Sequence, residues 1–160
     1  MTRRWLMLAV IVVGSGCCCQ QAEDPDVVPK PPSTLGAEYD VYEAIIRHHI
    51  QHFAAGDGLK PEVYYVAIQL RDDDDKTDPP AAFLQRFADL KVSVRAASVQ
   101  MRVDDPRPAA DIWLGPVEWQ GTNDVRMMGR VYEAWVTQKC GTPWPMLASR
   151  KDGKWAMVIR

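Results

Sequence analysis

The hydrophobic pattern of this chain changes character at Leu90, and that change constrains the fold more than any single motif. Before it, Tyr42, Ile45, Ile46, His49, Ile50 and Phe53 recur at spacings of three and four, which predicts a helix over 39–53 with one apolar face. Ala54-Ala55-Gly56-Asp57-Gly58 supplies the glycines that helix ends favour. Tyr64, Val66, Ile68 and Leu70 then alternate with Tyr65, Ala67 and Gln69, the period of a strand. Asp78-Pro79-Pro80 reads as an N-cap followed by prolines in the first turn of a second helix, with Phe83, Leu84, Phe87 and Leu90 as its stripe. After Leu90 four β-like segments follow, over 92–103, 111–119, 125–137 and, as a hairpin, 145–160. Asp152-Gly153 marks the hairpin turn, because such a pair tolerates the positive φ that tight turns need. Gly115-Pro116 inside the second segment predicts a bulge or an edge position. The order predicts an α+β fold: two N-terminal helices packed on a curved antiparallel sheet of about four to six strands, in one domain over 38–160.

The start of the chain addresses location rather than fold. Arg3 and Arg4 precede an apolar run over 5–13, then Gly14-Ser15-Gly16 and three cysteines, Cys17, Cys18 and Cys19. A positive start, a short apolar stretch and small residues at a cut are the parts of an export signal, here 1–16. The run is too short for a bilayer span, which needs about 20 apolar residues. The arrangement resembles the bacterial lipoprotein signal, in which a small-residue pair precedes a cysteine that receives diacylglycerol. Gly14 stands where that family usually carries Leu. The resemblance implies acyl chains on Cys17, a membrane as partner, and a domain outside the cytoplasm, periplasmic or at the cell surface. Cleavage near Gly16 by a general signal peptidase, with plain secretion, stays open beside it.

Residues 17–37 are read as the anchor cysteine and a linker. Pro25, Pro29, Pro31 and Pro32 lie there among Glu23, Asp24 and Asp26, with no hydrophobic period. Extended at about 3.1 Å per residue, residues 20–36 would reach roughly 50 Å. The whole chain carries 19 basic and 21 acidic residues. Loss of Arg3 and Arg4 would take it to about −4, with no basic patch for nucleic acid. Cys140 is the one cysteine of the expected domain and has no histidine near it in sequence.

The 42–53 helix, the long 125–137 segment and the closing Lys151-Asp152-Gly153-Lys154-Trp155 hairpin resemble, in layout, the nuclear-transport-factor-two-like and cystatin-like group. That likeness covers about residues 39–160. It implies a sheet wrapped over helices in domains that are enzymatic in some exported proteins and merely binding in many. It transfers no catalytic residue.

Candidate chemistry is sparse. His48 and His52 are four apart on a helix and could share a metal, but no third ligand follows from spacing and His49 falls on the apolar face. Asp72-Asp73-Asp74-Asp75 offers oxygens for calcium, yet lacks the glycine and distal glutamate of an EF-hand, so a solvated turn is expected. Five of the six tryptophans, Trp113, Trp119, Trp135, Trp144 and Trp155, lie after Leu90. On a curved sheet Trp113, Trp119 and Trp135 are the candidates to line a pocket for a small apolar ligand or a sugar. No cofactor and no metal are expected. The leading expectation is an exported lipoprotein with a non-enzymatic binding or accessory domain. One rival is a small cone-shaped isomerase or hydrolase using Asp104, Asp111 or His49. Another is a structural component of an envelope complex. A cone filled with side chains would remove the pockets expected inside it.

Overall fold

The computed structural model describes residues 35–56, 58, 60–72, 74–100, 105–133 and 143–158. The expected signal, Cys17, Asp104, Trp135 and Cys140 lie outside these. Helix α1 (Leu35–Ala55) begins inside the stretch read as linker, with Glu38 in its first turn, where an acidic side chain meets the positive end of the helix dipole. The N–H of Gly56 closes its last turn on the carbonyl of His52 at 3.1 Å. Its buried stripe is Val41, Tyr42, Ile45, Ile46, His49 and Ile50, the spacing that the sequence carries.

Strand β1 (Val63–Ile68) follows, then helix α2 (Ala81–Leu84), continued by a 3-10 turn (Gln85–Phe87). The strand β2 (Ser93–Ala96) runs directly into helix α3 (Ala97–Gln100). The remaining strands are β3 (Ala109–Leu114), β4 (Glu118–Trp119), β5 (Asp124–Glu133), β6 (Trp144–Lys151) and β7 (Lys154–Val158). All seven form one sheet of order β2-β1-β3-β5-β6-β7, with β4 paired to β5.

The α+β class holds, and the sheet type does not match the expectation. The sheet is mixed, because β2 and β3 both run parallel to β1 while β3, β5, β6 and β7 alternate in direction. Parallel neighbours need crossover connections, and the chain supplies two, through α2 and through α3. Right-handed crossovers running in opposite directions along a sheet put their helices on opposite faces. Accordingly Phe83 of α2 and Phe87 of the adjoining turn join the main core cluster, whereas Val99 of α3 packs with Val63, Tyr65 and Ala109 on the other side.

Three local expectations change with it. The single strand expected over 92–103 is a four-residue strand followed by α3. Asp78 does not cap α2, whose N-cap is Pro80 with no side-chain bond. It reaches α3 instead, accepting from the Ser98 N–H at 3.0 Å and the Ser98 hydroxyl at 2.5 Å. The segment expected over 111–119 is split at Gly115-Pro116 into β3 and β4. A Cβ on Gly115 would stand 2.9 Å from the Met128 carbonyl oxygen, so the backbones approach there as closely as only glycine permits. The β6–β7 hairpin turns at Asp152 (φ 51°) and Gly153 (φ 79°), the positive φ pair expected of a two-residue turn.

The main core lies between α1, α2 and one face of the sheet. Tyr64, Val66 and Ile68 of β1, Ala110, Ile112 and Leu114 of β3, Val125 and Met127 of β5, and Met146 and Ala148 of β6 all belong to it. The Tyr42 hydroxyl donates to the Gly115 carbonyl at 3.1 Å, which ties α1 to the end of β3. On the solvent side Arg47 forms a bidentate pair with Asp89 at 3.0 Å and a bond to Glu43 at 2.8 Å, while Arg86 bonds Asp40 at 2.7 Å. These pairs link α1 to the segment after α2 and are exposed enough to contribute only modestly.

Candidate functional site

The face under α1 is where the sequence places a pocket, and it is occupied by the buried cluster just described. A cavity of about 320 Å³ opens instead on the opposite face of the sheet. Its floor is β1 and β3, through Tyr65, Ala67, Asp111 and Trp113, and its far wall is α3, through Ala97, Ser98 and Gln100. Lys76, Thr77 and Asp78 close the third side.

Local structure explains each contribution. The strands β1 and β3 are adjacent and parallel, with Ala67 opposite Trp113 and Tyr65 opposite Asp111. Alternation sends these four side chains to the face that α1 does not cover. The strand order reverses between β1 and β3, since the chain leaves β1 toward β2 and returns across it to β3. Crevices at the carboxyl ends of parallel strands, beside such a reversal, are where open α/β sheets bind ligands. Ile68 and Thr77 exchange two backbone hydrogen bonds, 2.9 and 2.8 Å, and so close the loop 69–76 onto the end of β1. That closure sets Lys76 against Trp113, with Nζ 4.4 Å from the ring centroid. Arg130 of β5 reaches the same ring at 5.2 Å.

The electrostatics follow from these neighbours. Partial burial lowers the Lys76 pKa, and the Arg130 charge lowers it further. Asp111 is only 8% exposed and interacts with a neighbouring group, while its Oδ1 is buried outside any hydrogen bond. Asp78 is occupied by Ser98. The Trp113 indole N–H is buried and has no hydrogen-bond partner. Beside the second small core, Asp105 accepts from Arg107 at 2.6 Å and from Arg95 at 3.2 Å. The Arg107 side chain and backbone N–H, with Arg95 adding its charge, hold that carboxyl well below the usual range.

The structure separates the residues that the sequence groups together. Trp113 lines the cavity, whereas Trp119 packs on the main core face, edge-on to Trp155 with ring centroids 5.7 Å apart. Of the enzyme candidates, Asp111 is in the cavity and His49 is under α1 on the other face, so these two are not brought together; Asp104 lies outside the described residues. His48 and His52 stack with ring centroids 6.4 Å apart. Among the described residues no group of three His, Cys, Asp or Glu is placed to hold a metal ion. Asp72, Asp74 and Asp75 are exposed.

Sequence reasoning missed Lys76, Ser98 and the partnership of Tyr65 with Asp111. One signal was present. VYYVAI of β1 and AADIWL of β3 are nearly continuous apolar runs, and both strands are buried on both faces, as parallel strands are. Comparison with known protein families, curated proteins and solved structures finds no match for this chain. Among the described residues no helix is long and apolar enough to cross a membrane.

Proposed function

We propose that this chain is an exported lipoprotein whose domain binds a small molecule at the outer face of a bacterial membrane. The observation that carries the binding reading is the cavity at the carboxyl ends of β1 and β3, beside the reversal of strand order and walled by Trp113. Its volume is at the lower end of small-molecule sites. Its surface joins an aromatic wall and alanines to a few polar groups, the mixture that orients a ligand. Support for the anchor is the run Arg3 to Cys17, and for the spacing from the membrane the proline-rich stretch after it.

The binding reading is tested by recording amide and indole N–H spectra of the protein against a library of small aromatic and aliphatic fragments. Perturbations are expected to cluster on Tyr65, Ala97, Ser98 and Trp113. Scattered shifts, or hits confined to the α1 side, count against it. The anchor is tested separately. Replacing Cys17 by Ala is expected to move the protein from the membrane fraction to the soluble fraction or to leave the precursor uncut. Normal processing with full membrane retention would remove Cys17 as the lipid site.

A catalytic reading draws on one observation, the buried Asp111 carboxylate in the cavity wall. A general acid or base needs access to substrate. Turnover by the fragment-binding protein that Asp111→Asn abolishes, with binding intact, would favour it over simple binding.

A further inference from the structure

Three imidazoles lie close together on α1, and the fold treats them differently. His49 is 8% exposed, and its buried Nε2 is out of reach of an incoming ion. His48 is half-buried and His52 is exposed. Four residues apart on a helix, these two stand one turn apart on the same side. Their rings are near-parallel, at 10°, with centroids 6.4 Å apart. Neither forms a hydrogen bond or an ion pair among the described residues; their other ring neighbours are His49 and Phe53. A neutral imidazole carries one acceptor nitrogen, and nothing in the fold uses these two. The backbone beneath them is held. Helix α1 runs unbroken from Leu35 to Ala55, and the Gly56 N–H closes its last turn on the His52 carbonyl. His52 lies in that last turn, where the negative end of the helix dipole favours a cation. The adjacent cation, Arg47, is turned toward Glu43 and Asp89.

We infer that His48 and His52 together chelate a late first-row divalent ion of the Zn²⁺ or Cu²⁺ class. Imidazole nitrogen suits these ions, whereas Mg²⁺ and Ca²⁺ take oxygen ligands. Metal–nitrogen bonds of about 2.0–2.1 Å on a tetrahedral ion draw two imidazole centroids to roughly 5 Å. The rings must therefore swing together by about an ångström or more, and no hydrogen bond opposes that rotation. Two protein ligands leave coordination positions open for water or for a donor from another molecule. The site lies across the sheet from the cavity and is independent of the binding reading above.

The test titrates Zn²⁺, Cu²⁺, Ni²⁺ and Mg²⁺ into the full-length chain with Cys17, Cys18, Cys19 and Cys140 replaced by Ser, because thiolates compete for the same ions. Affinities are read by calorimetry, and the Zn²⁺ complex by the imidazole resonances. Zn²⁺ is expected to shift the His48 and His52 signals together. Cu²⁺ is expected to bind tightest and Mg²⁺ to have no effect. His48→Ala and His52→Ala are each expected to weaken Zn²⁺ binding about tenfold or more, because two linked ligands become one. Both side chains lie off the buried stripe, so both variants are expected to fold. His49→Leu is expected to keep the affinity. Unchanged affinity in either alanine variant, shifts at one imidazole alone, or a Mg²⁺ response equal to that of Zn²⁺ overturns the chelate. Loss of binding in His49→Leu, with its helix content intact, overturns the choice of ligands.

Discussion

Lowering the pH from 7 to 4 is expected to destabilise the folded domain by about 3 kcal/mol through His49 alone. His49 lies on the buried stripe of α1, 8% exposed, and its Nε2 has no hydrogen-bond partner. Burial is the main reason that its pKa falls to about 4, and the neighbouring His48 and His52 charges push the same way. The unfolded chain takes up the proton at about 6.5. The His49 contribution is therefore complete above about pH 6.5, declines as pH falls, and is gone near pH 4. Below that, the carboxylates take over. Asp105, held low by Arg107 and Arg95, contributes stability above the unfolded carboxyl pKa that is lost as pH drops further. The measurement is urea unfolding at pH 7, 5.5 and 4.5 for the protein and for His49→Leu. The variant is expected to lose most of the decline between pH 6.5 and 4. An equal decline in both would assign the effect elsewhere.

The second large effect concerns β3. Ile112→Ala is expected to cost about 2–5 kcal/mol, and Ile112→Val about 0.5–1.5. Ile112 is 1% exposed and sits in the middle of the sheet, opposite Val66 of β1 and Val131 of β5. Hydrogen bonds on both sides hold its backbone, so the space left by a smaller side chain cannot close by strand movement. The cost should therefore lie toward the upper end. Trp113, the next residue, faces the cavity, and Trp113→Ala should destabilise less than its size suggests. Denaturant midpoints of the two variants give the comparison. A Trp113→Ala loss as large as that of Ile112→Ala would contradict the separation of the two faces.

The class of fold was legible because its signals are local. The stripe of α1 repeats every three or four residues, and the Asp152-Gly153 turn needs no distant information. Strand direction was not legible. Parallel pairing of β1 with β3 joins residues more than forty positions apart, and neither strand carries a mark of its partner. The two-sided burial of VYYVAI could have suggested it, but its tyrosines also satisfied an alternating pattern. Asp78 shows the limit in miniature. Its place before two prolines fits an N-cap, and only the folded chain shows Ser98 close enough to compete for the carboxylate. The site followed the same logic. Trp113 could be singled out as a large aromatic, whereas Lys76 acquires meaning from the Ile68–Thr77 closure that carries it to the ring.

The contact between α1 and β7 joins the earliest described element to the last described strand. A chain made from its amino end presents the apolar stripe of α1 long before β7 exists to receive it. About a hundred residues separate the end of α1 from the start of β7, so this part of the core can close only when the chain is nearly complete. Until then the part of the α1 stripe that β7 covers remains open to any other apolar surface. A nascent chain of this kind depends on being kept from such surfaces, and removal of the β6–β7 hairpin would return the finished domain to that sticky, unclosed state.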